Sequence, residues 1–418
     1  MNGPLTQPLP SGNALLSINA GSSSLKFACF ERDAGWDYGS LPVPLLRGEI
    51  ELHDGHPRMR YELAGQAPRD LTPGAARGDI GAETAWLIEW IQRDLGLDRP
   101  AIVAHRIVHG GLRHTRAVRI DDRVETELKR LASLAPLHQG PGLDGVRAAR
   151  QALPDAAQVA CFDTAFHAGH ADAERRYAIP RRWHDRGYQH YGFHGLSFDA
   201  VARRLPALLG QRAQACVVVA HLGSGASLCG MRELRSVSTS MGFTALDGLV
   251  MSTRCGTIDP GLLLRWMQHD RLTARQISDM LYHESGLLGV SETSSDMRDL
   301  LGSTDERARQ AVDLFVASVV RHVGATAASI GGLDALVFTG GIGTHQAPIR
   351  AAIAQRLGWL GVELDAAANE SGQGLVSGTA SRVPVLVLPT DEEAVMALQA
   401  LQACDASAQA AAAGMEAA

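Results

Sequence analysis

The chain has 418 residues, 45% of them hydrophobic and 20% charged, so it is long enough for two hydrophobic cores and differs in composition from disordered proteins. Its formal net charge of -6 gives no general attraction to nucleic acid or to anionic lipid, and neither partner is expected. Six dispersed cysteines without paired metal-ligand spacing, and the lack of a signal-like start or a membrane-length apolar run, favour a cytoplasmic location with reduced thiols.

Short apolar runs beside glycine or turn residues predict buried strands, and longer stretches between them predict helices. The predicted strands are Leu15 to Ile18, Ile102 to Ala104, Val217 to Ala220, Ala335 to Phe338 and Val383 to Leu388. The predicted helices include Glu83 to Leu95, Arg123 to Leu134, Phe198 to Leu208 and Arg307 to Ile330. Because strands and helices alternate, the fold class is predicted to be α/β.

An internal echo links the two halves of the chain. The segments LLSINAGSSSLKF and VVVAHLGSGASLC superpose so that Asn19 falls on His221 and Gly21 on Gly223. Each segment is an apolar strand followed by one polar residue and a turn rich in glycine and serine. The echo predicts a duplicated domain with one phosphate-facing turn in each half, and the alternative is chance similarity between two such turns.

Three glycine-rich turns follow predicted buried strands. They are Asn19 to Lys26, His221 to Ser227 and Phe338 to Gly343. Glycine lets the main chain approach an anion closely, and main-chain N–H groups and serine hydroxyls donate hydrogen bonds to it. None has the GxxxxGK[ST] spacing, and a single turn of this kind is often only a turn. Three together favour a nucleotide-binding cleft.

Nine motifs occur in the order found in the acetate kinase family, which the sequence therefore resembles over nearly its whole length. They are INAGSSSLK from Ile18, HRIVHGG from His105, FDTAFH from Phe162, YGFHG from Tyr191, HLGSGAS from His221, MGFTALDG from Met241 with TRCG after it, SSDMRD from Ser294, FTGGIG from Phe338 and TDEE from Thr390.

The resemblance implies two duplicated ribonuclease-H-like domains with an interdomain nucleotide cleft. The first domain would comprise residues 1–154 and 391–418, and the second residues 155–390. It also implies a homodimer formed through the second domain. The activity would be reversible, Mg²⁺-dependent phosphoryl transfer between ATP and acetate, giving acetyl phosphate and ADP by direct in-line transfer, with Mn²⁺ as a substitute metal.

The residue types fit this chemistry. A phosphoryl group in transfer needs surrounding positive charge, and a carboxylate acceptor is already ionised at pH 7, so it needs positioning more than deprotonation. By resemblance, Arg106 holds the carboxylate, while Arg254 and His194 contact the phosphoryl group and Asp163 is the catalytic carboxylate. An arginine flanked by apolar residues needs an anionic partner, and an arginine fork suits a carboxylate or a phosphate. These groups are expected to converge beside the terminal phosphate of the nucleotide.

The resemblance also assigns the remaining site residues. The acetate site would include Val108, Leu137, His138 and Phe193 beside Arg106. The nucleotide would be bound by Lys26, His221, Leu222, Gly223, Ser224, Gly225, Asp296, Met297, Arg298, Gly341, Ile342, Gly343, Thr344 and His345. Magnesium would be positioned by Asn19 and Glu392, which carry the oxygen ligands that a hard cation prefers. As alternatives, Asp163 is a helix N-cap and Glu392 a carboxylate facing its own helix dipole.

The sequence departs from the family pattern at four places. Ser224 stands where many members have asparagine, Thr344-His345 replaces Glu-Asn, and Gln139-Gly140 follows His138 in place of an Asn-Pro pattern. Ala245 stands where proline is usual, near the acetate methyl group. Its smaller volume leads to the hypothesis of a pocket with room for one more methylene, worth about 1–3 kcal/mol of discrimination.

Three alternatives remain from the sequence. The first is a propionate kinase or another short-chain acid kinase, and the second is a relative that uses pyrophosphate as donor. The third is a non-catalytic nucleotide-binding scaffold on the same fold. The presence of Arg106, Arg254, His194 and Asp163 argues against the scaffold, because a nucleotide-dependent switch protein needs no carboxylate-binding arginines.

Overall fold

The structure is a computed structural model that describes residues 14–21, 24–32, 36, 40–53, 56–73, 79–135 and 139–416. Leu137 and His138, two of the predicted acetate-site residues, lie outside the described residues, as does Ser22 in the first glycine-rich turn.

The strands of the described chain form two sheets. In chain order they are β1 Ala14–Ala20, β2 Ser24–Glu31, β3 Leu46–His53, β4 His56–Leu63, β5 Arg69–Leu71, β6 Pro100–Ile107, β7 Val118–Arg119, β8 Ala157–Phe162, β9 Val217–Leu222, β10 Ala226–Arg232, β11 Arg235–Thr239, β12 Ala335–Thr339, β13 Gly374–Leu375 and β14 Val385–Val387.

Helices lie between the strands, as the alternating pattern predicts. They are α1 Ile80–Arg93, α2 Asp122–Arg130, α3 Gln139–Ala152, α4 Asp172–Arg175, α5 Arg181–His184, α6 Gly195–Leu209, α7 Pro260–Gln268, α8 Ala274–His283, α9 Gly286–Ser291, α10 Met297–Gly302, α11 Glu306–Ile330, α12 Gly340–His345, α13 Ala347–Arg356, α14 Ala366–Ser371 and α15 Glu392–Glu416. Short 3-10 turns occur at Leu131–Leu134, Ala165–His167, Gly210–Gln214 and Gly358–Leu360.

The chain packs as two compact units. The first consists of Met1–Phe166 and Asp391–Ala418, and the second of His167–Thr390. The first boundary falls after Phe166, later than the predicted end at Pro154, because β8 pairs in parallel with β6 and so belongs to the first sheet.

The first sheet has the strand order β5-β4-β3-β2-β1-β6-β8-β7. Strands β1, β6 and β8 are parallel neighbours, whereas β2 and β3 continue the sheet from β1 in antiparallel fashion. Alternate residues of β1 face opposite sides of the sheet. Leu16 and Ile18 belong to the hydrophobic core that includes α1, whereas the Ser17 hydroxyl donates to the main chain of Glu393 in α15.

The second sheet repeats this arrangement. Its order is β11-β10-β9-β12-β14-β13, with an antiparallel β9–β10 hairpin and with β9, β12 and β14 parallel. In the β1–β2 hairpin Asn19 pairs with Lys26, and in the β9–β10 hairpin His221 pairs with Ser227. The predicted α/β class is confirmed, and the repeated strand order is the arrangement that a duplicated domain requires.

Helix α11 is long and apolar enough to cross a membrane by length and composition alone. In the structure it packs against β9, β10 and β11 and against α9 and α13. Its Phe315, Val319 and Val323 are fully buried. These contacts identify α11 as a core helix of the second unit.

Candidate active site

Polar side chains collect at the carboxyl ends of the three parallel strands in the first sheet. Asn19 lies near the end of β1, Arg106 near the end of β6, and Asp163 directly after β8. The first turn of α15 lies beside them with Glu392 and Glu393. We call these five residues the Arg106 cluster. The carboxyl ends of parallel strands are the usual location of ligand sites in α/β folds.

Arg106 and Asp163 form a bidentate ion pair. Nε of Arg106 donates to Oδ1 of Asp163 at 3.1 Å, and Nη2 donates to Oδ2 at 2.6 Å. The Asp163 side chain is 1% exposed and that of Arg106 15% exposed. Nη1 of Arg106 makes a single long hydrogen bond among the described residues, 3.4 Å to Oδ1 of Asn19. The guanidinium is thus fixed in orientation by Asp163, and Nη1 is its least strongly bonded nitrogen among the described residues.

Two further carboxylates, Glu392 and Glu393, interact electrostatically with the guanidinium. The Asn19 amide nitrogen donates to Oε2 of Glu392 at 2.8 Å and to Oε1 of Glu393 at 3.0 Å. Burial disfavours the charge on Arg106, but Asp163, Glu392 and Glu393 raise its pKa, so Arg106 stays charged. Burial and the neighbouring Glu392 raise the pKa of Glu393 to about 6.

The Arg106 cluster fits a hard cation by its chemistry. The oxygens of Glu392, Glu393 and Asn19 lie within one hydrogen-bonded group, and burial together with the neighbouring Glu392 raises the Glu393 pKa, an electrostatic cost that a cation would relieve. Across the described residues, no group of three or more His, Cys, Asp or Glu side chains could hold a metal ion. Mg²⁺ requires less than this, because it keeps several waters and binds through one or two carboxylates.

In the second unit, His194 lies directly before α6 in a left-handed main-chain conformation with φ of 57°. Its Nδ1 lies 2.8 Å from the Ser227 hydroxyl, and its ring stacks on that of His221 with 4.5 Å between ring centroids. A non-glycine residue with positive φ costs free energy, and such residues concentrate at functional sites. Because His194 precedes α6 and His221 lies in β9, the stacking of the two rings connects the start of α6 with the end of β9.

Arg254 approaches the same place from the loop after β11. A Cβ atom added to Gly225 would lie 3.3 Å from Nε2 of His194 and 3.9 Å from Nη1 of Arg254. Nη1 of Arg254 donates to the Ala245 carbonyl at 3.2 Å. The structure thus brings His194, His221, Gly225, Ser227 and Arg254 together, and we call these residues the Gly225 cluster.

A cavity of about 410 Å³ lies at the carboxyl ends of β12 and β14. Helix α12 begins directly after β12, and Gly340 has φ of 76° where a Cβ would meet the Leu222 carbonyl at 2.6 Å. The cavity is lined by Gly340, Gly341, Thr344, His345, Arg350, Glu370, Ser371, Gly372, Gln373, Pro389 and Thr390. Of the predicted nucleotide-binding residues, Gly341, Thr344 and His345 therefore line one cavity, and Ile342 and Gly343 are buried in the same helix.

The remaining predicted residues have simpler surroundings. Asp296 caps α10 by accepting from the main-chain N–H of Arg298 at 2.8 Å, and Met297 is buried. Val108 follows β6, and Phe193 precedes His194; both are buried apolar residues. The half-exposed side chain of Lys26 lies 3.9 Å from Glu49. Their roles toward acetate, nucleotide or metal stay predictions.

Several residues of these sites were not among the predicted ones. Glu393 and Ser227 lie within the quoted motifs TDEE and HLGSGAS, so the motifs contained the signal although only their neighbours were chosen. The structure adds them because they bond Asn19 and His194 directly. Arg350, Glu370 and Gln373 lie outside all nine motifs and reach the cavity through α13 and α14 and the turn after α14.

Comparison with known proteins identifies the family of the chain. The model of the Acetokinase family matches residues 14–398. The acetate kinase of Rhodopseudomonas palustris (strain TIE-1) is 44% identical over 391 residues, covering 92% of this chain and 97% of that protein. A propionate kinase structure from Francisella tularensis subsp. tularensis SCHU S4 superposes with a TM-score of 0.83 at 32% identity, covering 93% of this chain and 99% of that one.

The acetate kinase structure from Porphyromonas gingivalis superposes with a TM-score of 0.81 at 32% identity, covering 94% of this chain and 99% of that one. Family, relatives and solved structures thus agree along almost the full length. The chain belongs to the acetokinase family and is a phosphotransferase of the kinase type.

Proposed function

We propose that the chain catalyses reversible, Mg²⁺-dependent phosphoryl transfer between ATP and acetate, with acetyl phosphate and ADP as products. The observation that carries the proposal is the bidentate Arg106–Asp163 pair at the strand ends of the first sheet. The pair fixes a charged guanidinium whose Nη1 has only one long bond among the described residues. A small carboxylate is the kind of anion that such a fork positions.

The Gly225 cluster supplies the groups for the phosphoryl oxygens. His194 presents Nε2 and Arg254 presents Nη1 toward the same glycine, where no side chain intervenes. A metaphosphate-like group carries charge on three oxygens, and positioned N–H donors stabilise that charge without reorganisation. We assign His194 and Arg254 to this role, and we assign Asp163 to orienting Arg106 and the acceptor.

We assign the nucleotide to the cavity beside α12. The left-handed Gly340 allows α12 to begin close to the Leu222 carbonyl, which places the first turn of the helix at the cavity wall. Main-chain N–H groups at a glycine-rich turn favour an anionic ligand. The Asn19, Glu392 and Glu393 oxygens would position Mg²⁺, or Mn²⁺ as a substitute, which when bound neutralises phosphate charge.

We infer a homodimer formed through the second unit, located in the cytoplasm. Helix α7 contains no buried residue although Leu262, Leu264 and Met267 are exposed on it. Exposed apolar clusters of this kind are typical of protein interfaces. All six cysteines are free thiols, as expected in a reducing compartment.

A hydroxamate assay tests the proposed function. With acetate and MgATP, we expect hydroxamate formation that depends on both substrates and stops when EDTA removes the metal. Acetate, propionate and butyrate are compared as acceptors, and ATP and pyrophosphate as donors. ADP formation without acyl hydroxamate would instead identify a nucleotide-hydrolysing scaffold. Hydroxamate formation with pyrophosphate but not with ATP would identify pyrophosphate as the phosphoryl donor.

A further inference from the structure

A buried hydrogen-bond chain leads to the turn that carries His194. His167, the last residue of the motif FDTAFH, has its Nε2 3.0 Å from the Phe193 carbonyl and its Nδ1 2.7 Å from the Ser236 hydroxyl. His170 has its Nε2 2.7 Å from the same hydroxyl. These histidines and Ser236 are buried. Residues 167, 170 and 236 thus form a polar network behind residue 193.

The partners fix which ring nitrogens carry protons. Burial lowers the pKa of His167 to about 4, so its ring is neutral at pH 7 and has one N–H. Because a carbonyl only accepts, Nε2 of His167 is the protonated nitrogen and Nδ1 accepts from the Ser236 hydroxyl. Ser236 then accepts from Nε2 of His170 and from the Cys229 thiol at 3.3 Å. Each donor in the chain therefore points toward Phe193.

The turn that receives this hydrogen bond is strained. The strain lies at His194, a non-glycine residue with φ of 57°, whereas the φ of 75° at Gly192 is one that glycine adopts readily. A Cβ on Gly192 would lie 2.6 Å from the Cδ2 atom of His167, so the imidazole packs directly against the turn. Strained main-chain conformations persist when surrounding groups over-determine them. His167 contacts the turn both through the Cγ and Cδ2 atoms of its ring and through the bond to Phe193.

We propose that His167 is a positioning residue for His194: by donating from Nε2 to the Phe193 carbonyl, it fixes the left-handed turn that aims the His194 ring at Gly225. The inference rests on the proposed function, in which His194 contacts the phosphoryl group. Ser236 sets the required tautomer from the other side of the ring. His167 itself contacts no substrate in this account.

Two substitutions of His167 test the hydrogen bonds of its Nε2 and Nδ1 atoms separately. The amide nitrogen in His167→Gln lies at about the place of Nε2, so this variant keeps a donor to Phe193. The amide in His167→Asn lies at about the place of Nδ1, so it keeps a partner for Ser236 and loses the bond to Phe193. His322→Asn serves as control, because His322 lies in α11 and its Nδ1 lies 2.8 Å from the Ser318 carbonyl.

We expect His167→Gln to keep kcat within about threefold, and His167→Asn to lower kcat about 10- to 100-fold with smaller changes in KM for ATP and acetate. Thermal unfolding of both variants checks that they fold. Nitrogen-15 NMR of labelled histidine in the wild-type chain should show Nε2 protonated and Nδ1 unprotonated for His167.

Equal kcat in the two variants, or losses that follow only the folded fraction, would overturn the positioning role. A protonated Nδ1 on His167 would overturn the donor chain. If the wild-type chain formed no acyl phosphate, the proposed function would fail, whereas the NMR experiment would still decide the hydrogen bond from His167 to Phe193.

Discussion

Arg106 is a mostly buried arginine that bonds both Asp163 and Asn19 in the first unit. Burial lowers the pKa of Arg106, whereas three carboxylates raise it, and Asp163 is the nearest of the three. Removal of the arginine would leave the Asp163 charge buried and unpaired, which destabilises the fold. Replacement of the arginine by lysine keeps the positive charge but loses the bidentate contact of the guanidinium. Arg106→Lys therefore tests geometry separately from charge.

We expect Arg106→Lys to lower kcat/KM for acetate by about 10²- to 10³-fold, since a lysine cannot bond Asp163 through two nitrogens while presenting a third. Steady-state kinetics with acetate as the varied substrate measure the effect. Arg113→Lys is the matched control, because Arg113 is an exposed arginine of the same unit paired with Glu127 at 3.0 Å. If the Arg106 and Arg113 variants have similar kinetics, Arg106 does not bind the acceptor.

Glu83 in α1 is fully buried, and neither of its carboxyl oxygens has a hydrogen-bond partner within the part of the chain that the structure describes. Burial, with a smaller effect of Asp79, raises its pKa from 4.5 to about 7. The folded state therefore binds this proton more tightly than the unfolded state. The free energy of unfolding is lowered as pH rises from about 4.5 through 7, and the full cost is present above pH 7.

We expect Glu83→Gln to raise the free energy of unfolding at pH 8 by up to about 3 kcal/mol relative to the wild-type chain, and by much less at pH 4.5. Urea denaturation at both pH values measures the difference. Glu89→Gln is the control, because Glu89 lies on the same helix, is 65% exposed and pairs with Arg93 at the surface. An equal change at both pH values would contradict a buried, titrating Glu83.

At the scale of elements, α12 depends on a buried arginine from the next helix. Arg350 is 1% exposed and donates from Nη1 to the carbonyls of Gly343 and Thr344, at 3.0 and 2.8 Å. These carbonyls belong to the last turn of α12, where helical partners are lacking. Arg350 also bonds the side chain and the carbonyl of Asn369 in α14. One guanidinium thus connects three helices around the cavity.

We expect Arg350→Met to lower the free energy of unfolding by about 3 kcal/mol or more, because several buried carbonyls lose their donor. KM for ATP should rise more than KM for acetate, since α12 forms the cavity wall. Chemical denaturation and steady-state kinetics test both expectations against Arg356→Met, an exposed position at the end of the same helix. An Arg350 variant that is destabilised but has an unchanged KM for ATP would show that α12 does not contribute to nucleotide binding.

Long periodic segments were predictable from the sequence, whereas their ends and distant pairings were not. The segment Val383 to Leu388 was predicted as one strand, yet β14 is Val385–Val387, because Pro384 and Pro389 have no N–H for the ladder. The segment from Arg123 tightens into a 3-10 turn after Arg130. The local hydrophobic pattern predicts whether a segment is a helix or a strand, but it does not predict the residue at which the element ends.

Site residues that lie within the quoted motifs were predictable from the sequence, whereas contacts between distant segments were not. Arg106, Asp163 and Asn19 are predictable because each lies in a motif that resembles the acetate kinase family, at or directly after the end of a buried strand. The bonds of His167 to Ser236 and of Arg350 to Asn369 were not predictable, because their partners meet only through the strand and helix order of the second unit. Sequence spacing carries no information about such contacts.

At the scale of the whole molecule, the repeated strand order explains why both units carry a polar cluster at the same edge of their sheets. Asn19 and His221 occupy equivalent hairpin positions, as the echo predicted. In each unit the hairpin strand is followed across the sheet by two parallel strands, β6 and β8 in the first sheet and β12 and β14 in the second. That Arg106, Arg254 and His194 act on one phosphoryl group stays a prediction.

The assembly state is a property of the whole molecule that one surface substitution tests. We expect Leu264→Glu on α7 to convert a homodimer into monomers, because it places a charge in an exposed apolar cluster. Analytical ultracentrifugation measures the mass. Glu284→Gln after α8 is a polar control outside that cluster. A wild-type chain that sediments as a monomer would contradict the proposed dimer.

The most direct test of the central claim is phosphorus-31 NMR of the wild-type chain with MgATP and acetate. We predict a new acyl phosphate resonance that grows in step with ADP, and much slower growth of that resonance in the variants Arg106→Lys and Arg254→Lys, which change one unit each. Appearance of inorganic phosphate with ADP, without acyl phosphate, would contradict phosphoryl transfer to the carboxylate.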